Sequence, residues 1–108
     1  MKTSERSRRL AGVVMQELPP ILQQLLTPNQ VGFLTVTSIE ISGDCGIAEI
    51  YLDALSAPTP DWIDAVNKVK PKVAHSLLSR VKMRREMVLI FKKDLGIEHA
   101  KVMHDKLR

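Results

Sequence analysis

Residues 33–55 read FLTVTSIEISGDCGIAEIYLDAL, and the fold class follows from this stretch. Phe33 to Ser42 is rich in threonine and β-branched residues, which pack well on a pleated surface and lose side-chain freedom in a helix. Ser42-Gly43-Asp44-Cys45-Gly46 supplies a turn. Ile47 to Leu55 then alternates, with Ala48, Ile50, Leu52 and Ala54 on one side and Glu49, Tyr51 and Asp53 on the other. Two adjacent strands with a short glycine-containing connection predict a hairpin. One face should pack on helices, and the other should carry acids.

On the N-terminal side, Leu10, Val14, Leu18, Ile21 and Leu25 recur at spacings of four and three, which predicts an amphipathic helix capped by Thr3 or Ser4. Pro19 and Pro20 fall inside that phase, so a kink or break is expected near Leu18. Thr27, Pro28, Asn29 and Gly32 punctuate the approach to the hairpin. On the other side, Thr59 as N-cap, Pro60 at the first helical position and Asp61 in the first turn predict a helix start. Trp62, Val66, Val69, Val73, Leu77 and Val81 hold one apolar stripe across Pro71, which two helices joined by a kink would satisfy. Met87 to Phe91 is a short apolar run flanked by charge and reads as a third strand. Ile97, Ala100, Met103 or His104, and Leu107 allow a last amphipathic helix.

The chain has 108 residues, 44% of them apolar and 26% charged, which is enough for one core and one domain over residues 1–108. Cys45 is the only cysteine and cannot form an internal disulfide, so a reducing, cytoplasmic setting is expected. The basic start is followed by no apolar run long enough for a signal peptide or a membrane span.

Charge is distributed very unevenly. Residues 10–67 contain seven acids and no lysine or arginine, whereas residues 68–93 contain nine basic residues against Glu86 alone. Such a concentration of like charge is stabilised by a polyanion, and RNA or DNA is the first candidate partner. Lys68, Lys72, His75, Ser79 and Lys82 follow a helical stripe distinct from the apolar one, so the basic residues should line a surface. At the N-terminus, Lys2, Arg6 and Arg9 share a face. Nucleic-acid contact is therefore expected from Arg6, Arg9, Lys68, Lys70, Lys72, Arg80, Lys82, Arg84 and Arg85, with Lys92 and Lys93 as possible additions.

Other chemistries are poorly served. His75, His99 and His104 lack the four-residue spacing of a helical zinc pair, no phosphate-binding glycine loop precedes a helix, and the carboxylates are dispersed. Neither a cofactor nor enzymatic activity is expected. Trp62 belongs to the apolar stripe and Tyr51 to the acidic strand face, so base stacking is scarce, and contact should be with phosphates and RNA shape. The competing reading is a protein-interaction module that uses the acidic face, with the basic patch merely solvated.

The order helix, strand, strand, helix, kink, helix, strand, helix is that of an α+β, type II KH-like module with a three-stranded sheet and helices on one face. Specific residues carry a closer likeness. Arg6-x-x-Arg9 with Ala11, Glu17 and Ile21-Leu22 is followed by Pro28, Gly32, Thr35-Val36-Thr37, Glu40, Ser42, Asp44, Ala48 and Tyr51. Ser76-Leu77-Leu78, Lys82-Met83-Arg84, Ile97-Glu98 and Ala100-Lys101-Val102 continue the pattern across nearly the whole chain, which resembles the ribosome-binding factor A family. The resemblance implies a bacterial, non-enzymatic factor of ribosome biogenesis that binds the small (30S) subunit and its 16S rRNA during late maturation and is tied to cold adaptation. A monomer is expected. Two departures stand out: Lys70-Pro71-Lys72 occupies the place of the family's Ala-x-Gly kink, and Thr27-Pro28-Asn29-Gln30 replaces its Asp-Pro-Arg, so an RNA contact made by that arginine is absent.

Overall fold

The computed structural model describes residues 1–94. Its elements in chain order are α1 (Glu5–Leu25), α2 (Pro28–Val31), β1 (Phe33–Ile41), β2 (Ile47–Leu55), α3 (Trp62–Lys68), α4 (Lys70–Arg80) and β3 (Val88–Lys93). The sheet has the order β1-β2-β3, with β1 antiparallel and β3 parallel to β2. A parallel neighbour cannot be reached by a tight turn, and α3 with α4 provides the crossover. The expected C-terminal helix, and the Ile97 to Val102 part of the family pattern, lie outside the described residues.

Ser4 caps α1: its hydroxyl accepts from the Ser7 amide at 3.0 Å, while the Ser7 hydroxyl accepts from the Ser4 amide at 2.7 Å. Reciprocal capping satisfies two otherwise orphaned donors. Of the kink or break expected near Leu18, the break does not occur: α1 runs as one element through Pro19 and Pro20. Each internal proline costs about 3 kcal/mol. Burial on both sides of them, at Val14, Leu18, Ile21 and Leu22, offsets this with about 1.5–3 kcal/mol per apolar side chain.

The hairpin forms as expected, and β2 has the expected bounds. Ala48, Ile50 and Leu52 are fully buried against the helices. One feature of β1 differs from simple alternation: Val36 pairs with Leu52 and Ser38 with Tyr51, leaving Thr37 as the extra residue of a β-bulge. The bulge reverses the side-chain phase. Leu34 and Val36 before it, and Ile39 and Ile41 after it, therefore all reach the core. The Thr37 hydroxyl donates to the Tyr51 carbonyl at 3.2 Å.

Two helix boundaries also shift. The third helix begins at Trp62 rather than Pro60, because the Thr59 hydroxyl accepts from the Asp61 amide at 3.2 Å and closes a local turn before the helix. The break between α3 and α4 falls at Val69, with φ −97° and ψ 6°. Pro71 does not form the break; it sits in the first turn of α4, where a missing amide donor is harmless. Trp62, Val66, Val73, Leu77 and Val81 are buried as the stripe required.

Candidate nucleic-acid interface

Three segments meet at one end of the molecule, and the β1–β2 turn ties them together. On one side the Gly43 amide donates to the Lys2 carbonyl at 3.0 Å, and the Ser4 hydroxyl donates to the Gly43 carbonyl at 3.1 Å. These bonds fix the start of α1, and with it Arg6, beside the turn. On the other side the Val88 amide donates to the Gly46 carbonyl at 2.9 Å, which fixes the start of β3. The connection from α4 to β3 is anchored at its ends by buried Val81 and Met87, so Lys82, Arg84, Arg85 and Glu86 are left exposed between them.

The result is a groove of about 550 Å³. Exposed Arg6, Lys82, Arg84 and Arg85 line it, with half-buried Leu10, Met83 and Cys45 beneath and Asp44 at the turn. Arg85 Nη2 lies 3.6 Å from the point a Cβ on Gly46 would occupy, which places the guanidinium against the turn.

Asp44 is held in place. Its Oδ1 accepts from the Ser42 hydroxyl at 2.7 Å and from the Gly46 amide at 3.0 Å. The Ser42 hydroxyl foremost, then the Gly46 amide, with Arg85 nearby as a smaller influence, keep the Asp44 carboxyl below its ordinary pKa of 3.8. The neighbouring Cys45 has φ 61°, a left-handed conformation that the bonded turn imposes on a side chain not suited to it.

The cations singled out by sequence divide into three sets. Arg6, Lys82, Arg84 and Arg85 come together in the groove. Lys68 and Lys72 are exposed on α3 and α4 and have no hydrogen-bond or ion-pair partner among the described residues. The others are engaged elsewhere. Arg9 pairs with Glu5 at 2.7 Å along α1, Arg80 lies 3.8 Å from Glu17, and the Lys70 ammonium sits 5.9 Å from the centre of the Phe91 ring.

Lys92 and Lys93 belong to the sheet. Lys92 bonds Glu49 at 2.6 Å, and that bond chiefly raises the lysine pKa above 10.5. Lys93 donates to the Pro60 carbonyl and lies over the Trp62 ring. His75 approaches Glu86 at 3.8 Å on the surface, and neither residue lines the groove.

Sequence reasoning missed Leu10, Asp44, Cys45 and Met83 as groove residues. The Ser-x-Asp spacing in a glycine-flanked turn marks Asp44 as a turn acceptor, but nothing in the linear order brings that turn beside Arg6 and Arg85. Among the described residues, no helix is long and apolar enough to cross a membrane.

Comparison with known proteins agrees with this architecture. The family model for ribosome-binding factor A matches residues 6–107. A ribosome-binding factor A of Desulfitobacterium hafniense (strain DSM 10664 / DCB-2) is 34% identical over 105 residues, covering 95% of this chain and 84% of that protein. The solution NMR structure of a Thermotoga maritima protein described as a ribosome-binding factor A superposes with a TM-score of 0.72 at 25% identity, covering 91% of this chain and 95% of that one. A homology model of the Thermus thermophilus ribosome-binding factor A, fitted into the cryo-EM map of a 30S complex of that protein, superposes with a TM-score of 0.65 at 22% identity over 87% of this chain and 97% of that one. The fold is the KH-like α+β arrangement of these structures, and the chain belongs to the ribosome-binding factor A family.

Proposed function

We propose that this protein is a non-catalytic assembly factor that acts in the cytoplasm as a monomer and binds the small ribosomal subunit and its 16S rRNA during late maturation. The observation that carries the reading is the groove of Arg6, Lys82, Arg84 and Arg85, in which four cations from two distant parts of the chain face solvent with one acid among them. Lys68 and Lys72 add two exposed cations on α3 and at the start of α4. The fit of a Thermus thermophilus relative into a 30S complex supports the same partner. Binding of this kind acts by mass action: a factor that binds one rRNA arrangement more tightly than another shifts the population toward the first by the difference in affinity.

The rival reading, protein interaction through the acidic sheet face, has less to work with. Glu40 and Glu49 are paired across β1 and β2, but Lys92 already neutralises Glu49 at 2.6 Å. Charge reversal at Lys72, Arg84 and Arg85 separates the two. Co-sedimentation with small subunits is lost on the present reading, and its persistence in a folded variant contradicts it.

A further inference from the structure

The groove is larger and less polar than phosphate contact alone requires. A platform for duplex backbone needs exposed cations and nothing beneath them, whereas here the exposed rim stands over half-buried Leu10 and Met83. A volume of about 550 Å³ is in the range of pockets that enclose small organic ligands. Asp44 is a second anomaly. A carboxylate in a purely phosphate-binding groove weakens it, yet this one is held there by two hydrogen bonds to Oδ1, while Oδ2 takes no hydrogen bond from another described residue. An ionised carboxylate accepts hydrogen bonds and donates none, so the groups it suits are amino donors. Adenine, cytosine and guanine carry an exocyclic amino group; uracil carries none.

We propose that the groove holds one unpaired nucleotide of the bound RNA, with its phosphates on Arg6, Arg84 and Arg85, its base against Leu10 and Met83, and an exocyclic amino group donated to Asp44. This deepens the proposed function and rests on it. Unpaired bases can be splayed out and held against guanidinium planes and apolar walls, so the lack of an exposed aromatic platform does not prevent it. Selection falls on the amino group and excludes uracil; it does not extend to a longer sequence.

The test uses hairpin RNAs of equal length, fully paired or with a single bulged A, C, G or U, titrated by fluorescence anisotropy at fixed salt. The bulged A, C and G hairpins should bind about fivefold or more tighter than the bulged U and the paired hairpins. Asp44→Asn keeps an acceptor for Ser42 and Gly46 but presents an amide, so the preference among bulged bases should move toward U. Equal, salt-sensitive binding of all the hairpins overturns the nucleotide pocket and leaves RNA binding standing. Weak, salt-insensitive binding of every hairpin overturns RNA binding itself. An unchanged base preference in Asp44→Asn removes the assigned role of Asp44.

Discussion

Replacing Arg84 and Arg85 together by glutamine should flatten the salt dependence of RNA binding by a calculable amount. Six exposed cations are available to phosphates in the structure: Arg6, Lys82, Arg84 and Arg85 in the groove, and Lys68 and Lys72 on α3 and at the start of α4. Each phosphate neutralised contributes about −0.7 to −0.9 to the slope of log K against log salt, so six give roughly −4 to −5. Affinity should then fall about a thousandfold between roughly 50 and 200 mM salt. Removing two contacts brings the slope to roughly −3 to −3.5 and the loss to about a hundredfold. Both arginines are exposed and make no ion pair among the described residues, so the variant should melt at the temperature of the parent chain. The assay is filter binding or anisotropy with a structured 16S rRNA fragment across a salt series, with a melt as control. A folded double variant whose slope equals that of the parent would show that these side chains touch no phosphate.

Two further outcomes concern the scaffold. Gly32 has φ +68°, and a Cβ there would fall 2.4 Å from the Leu55 carbonyl oxygen, so Gly32→Ala should lower stability by about 3 kcal/mol or more in urea unfolding; a loss below about 1 kcal/mol would contradict the packing described. The depressed pKa of Asp44 means that its stabilising contribution is complete above 3.8 and is lost as pH falls through the lower folded value. The melting difference between the parent chain and Asp44→Asn should therefore be present near neutral pH and close in acid. A constant difference would mean that the carboxylate charge plays no part.

Much of this was legible in the sequence because local rules and tertiary packing agree. The alternation of Ala48, Ile50 and Leu52 specified β2, and the stripe from Trp62 to Val81 specified the buried side of α3 and α4 even though it crosses Pro71. One misreading comes from tertiary burial overriding a local preference; another, the start of α3, comes from the local Thr59–Asp61 bond. Pro19 and Pro20 argue for a kink or a break, yet Leu18, Ile21 and Leu22 are buried on either side, and the helix does not break. The bulge was also written in the chain: Leu34, Val36, Ile39 and Ile41 change spacing from two to three and back, which only an extra residue at Thr37 reconciles with one buried face.

The candidate site was half legible. Charge counting found Lys82, Arg84 and Arg85, which are neighbours in sequence, and Arg6. It could not separate them from Lys70 and Arg80, because the partners of those two, Phe91 and Glu17, are set by contacts between elements, whereas the i,i+4 spacing of Glu5 and Arg9 was readable in the sequence. Nor could it bring in Asp44 and Cys45, whose place depends on backbone bonds from Gly43 to Lys2 and from Gly46 to Val88.

The lone cysteine offers the most direct test. Cys45 lines the groove and is the only thiol in the chain, so a hydroxyl-radical-generating probe tethered to it reports what lies against the groove in the complex. With the labelled protein bound to small subunits, strand scission confined to one region of 16S rRNA is the expected result, and it should disappear when Arg84 and Arg85 are replaced. Labelled protein that still co-sediments with the subunit but cuts no rRNA near the probe would place the groove away from RNA and contradict the account.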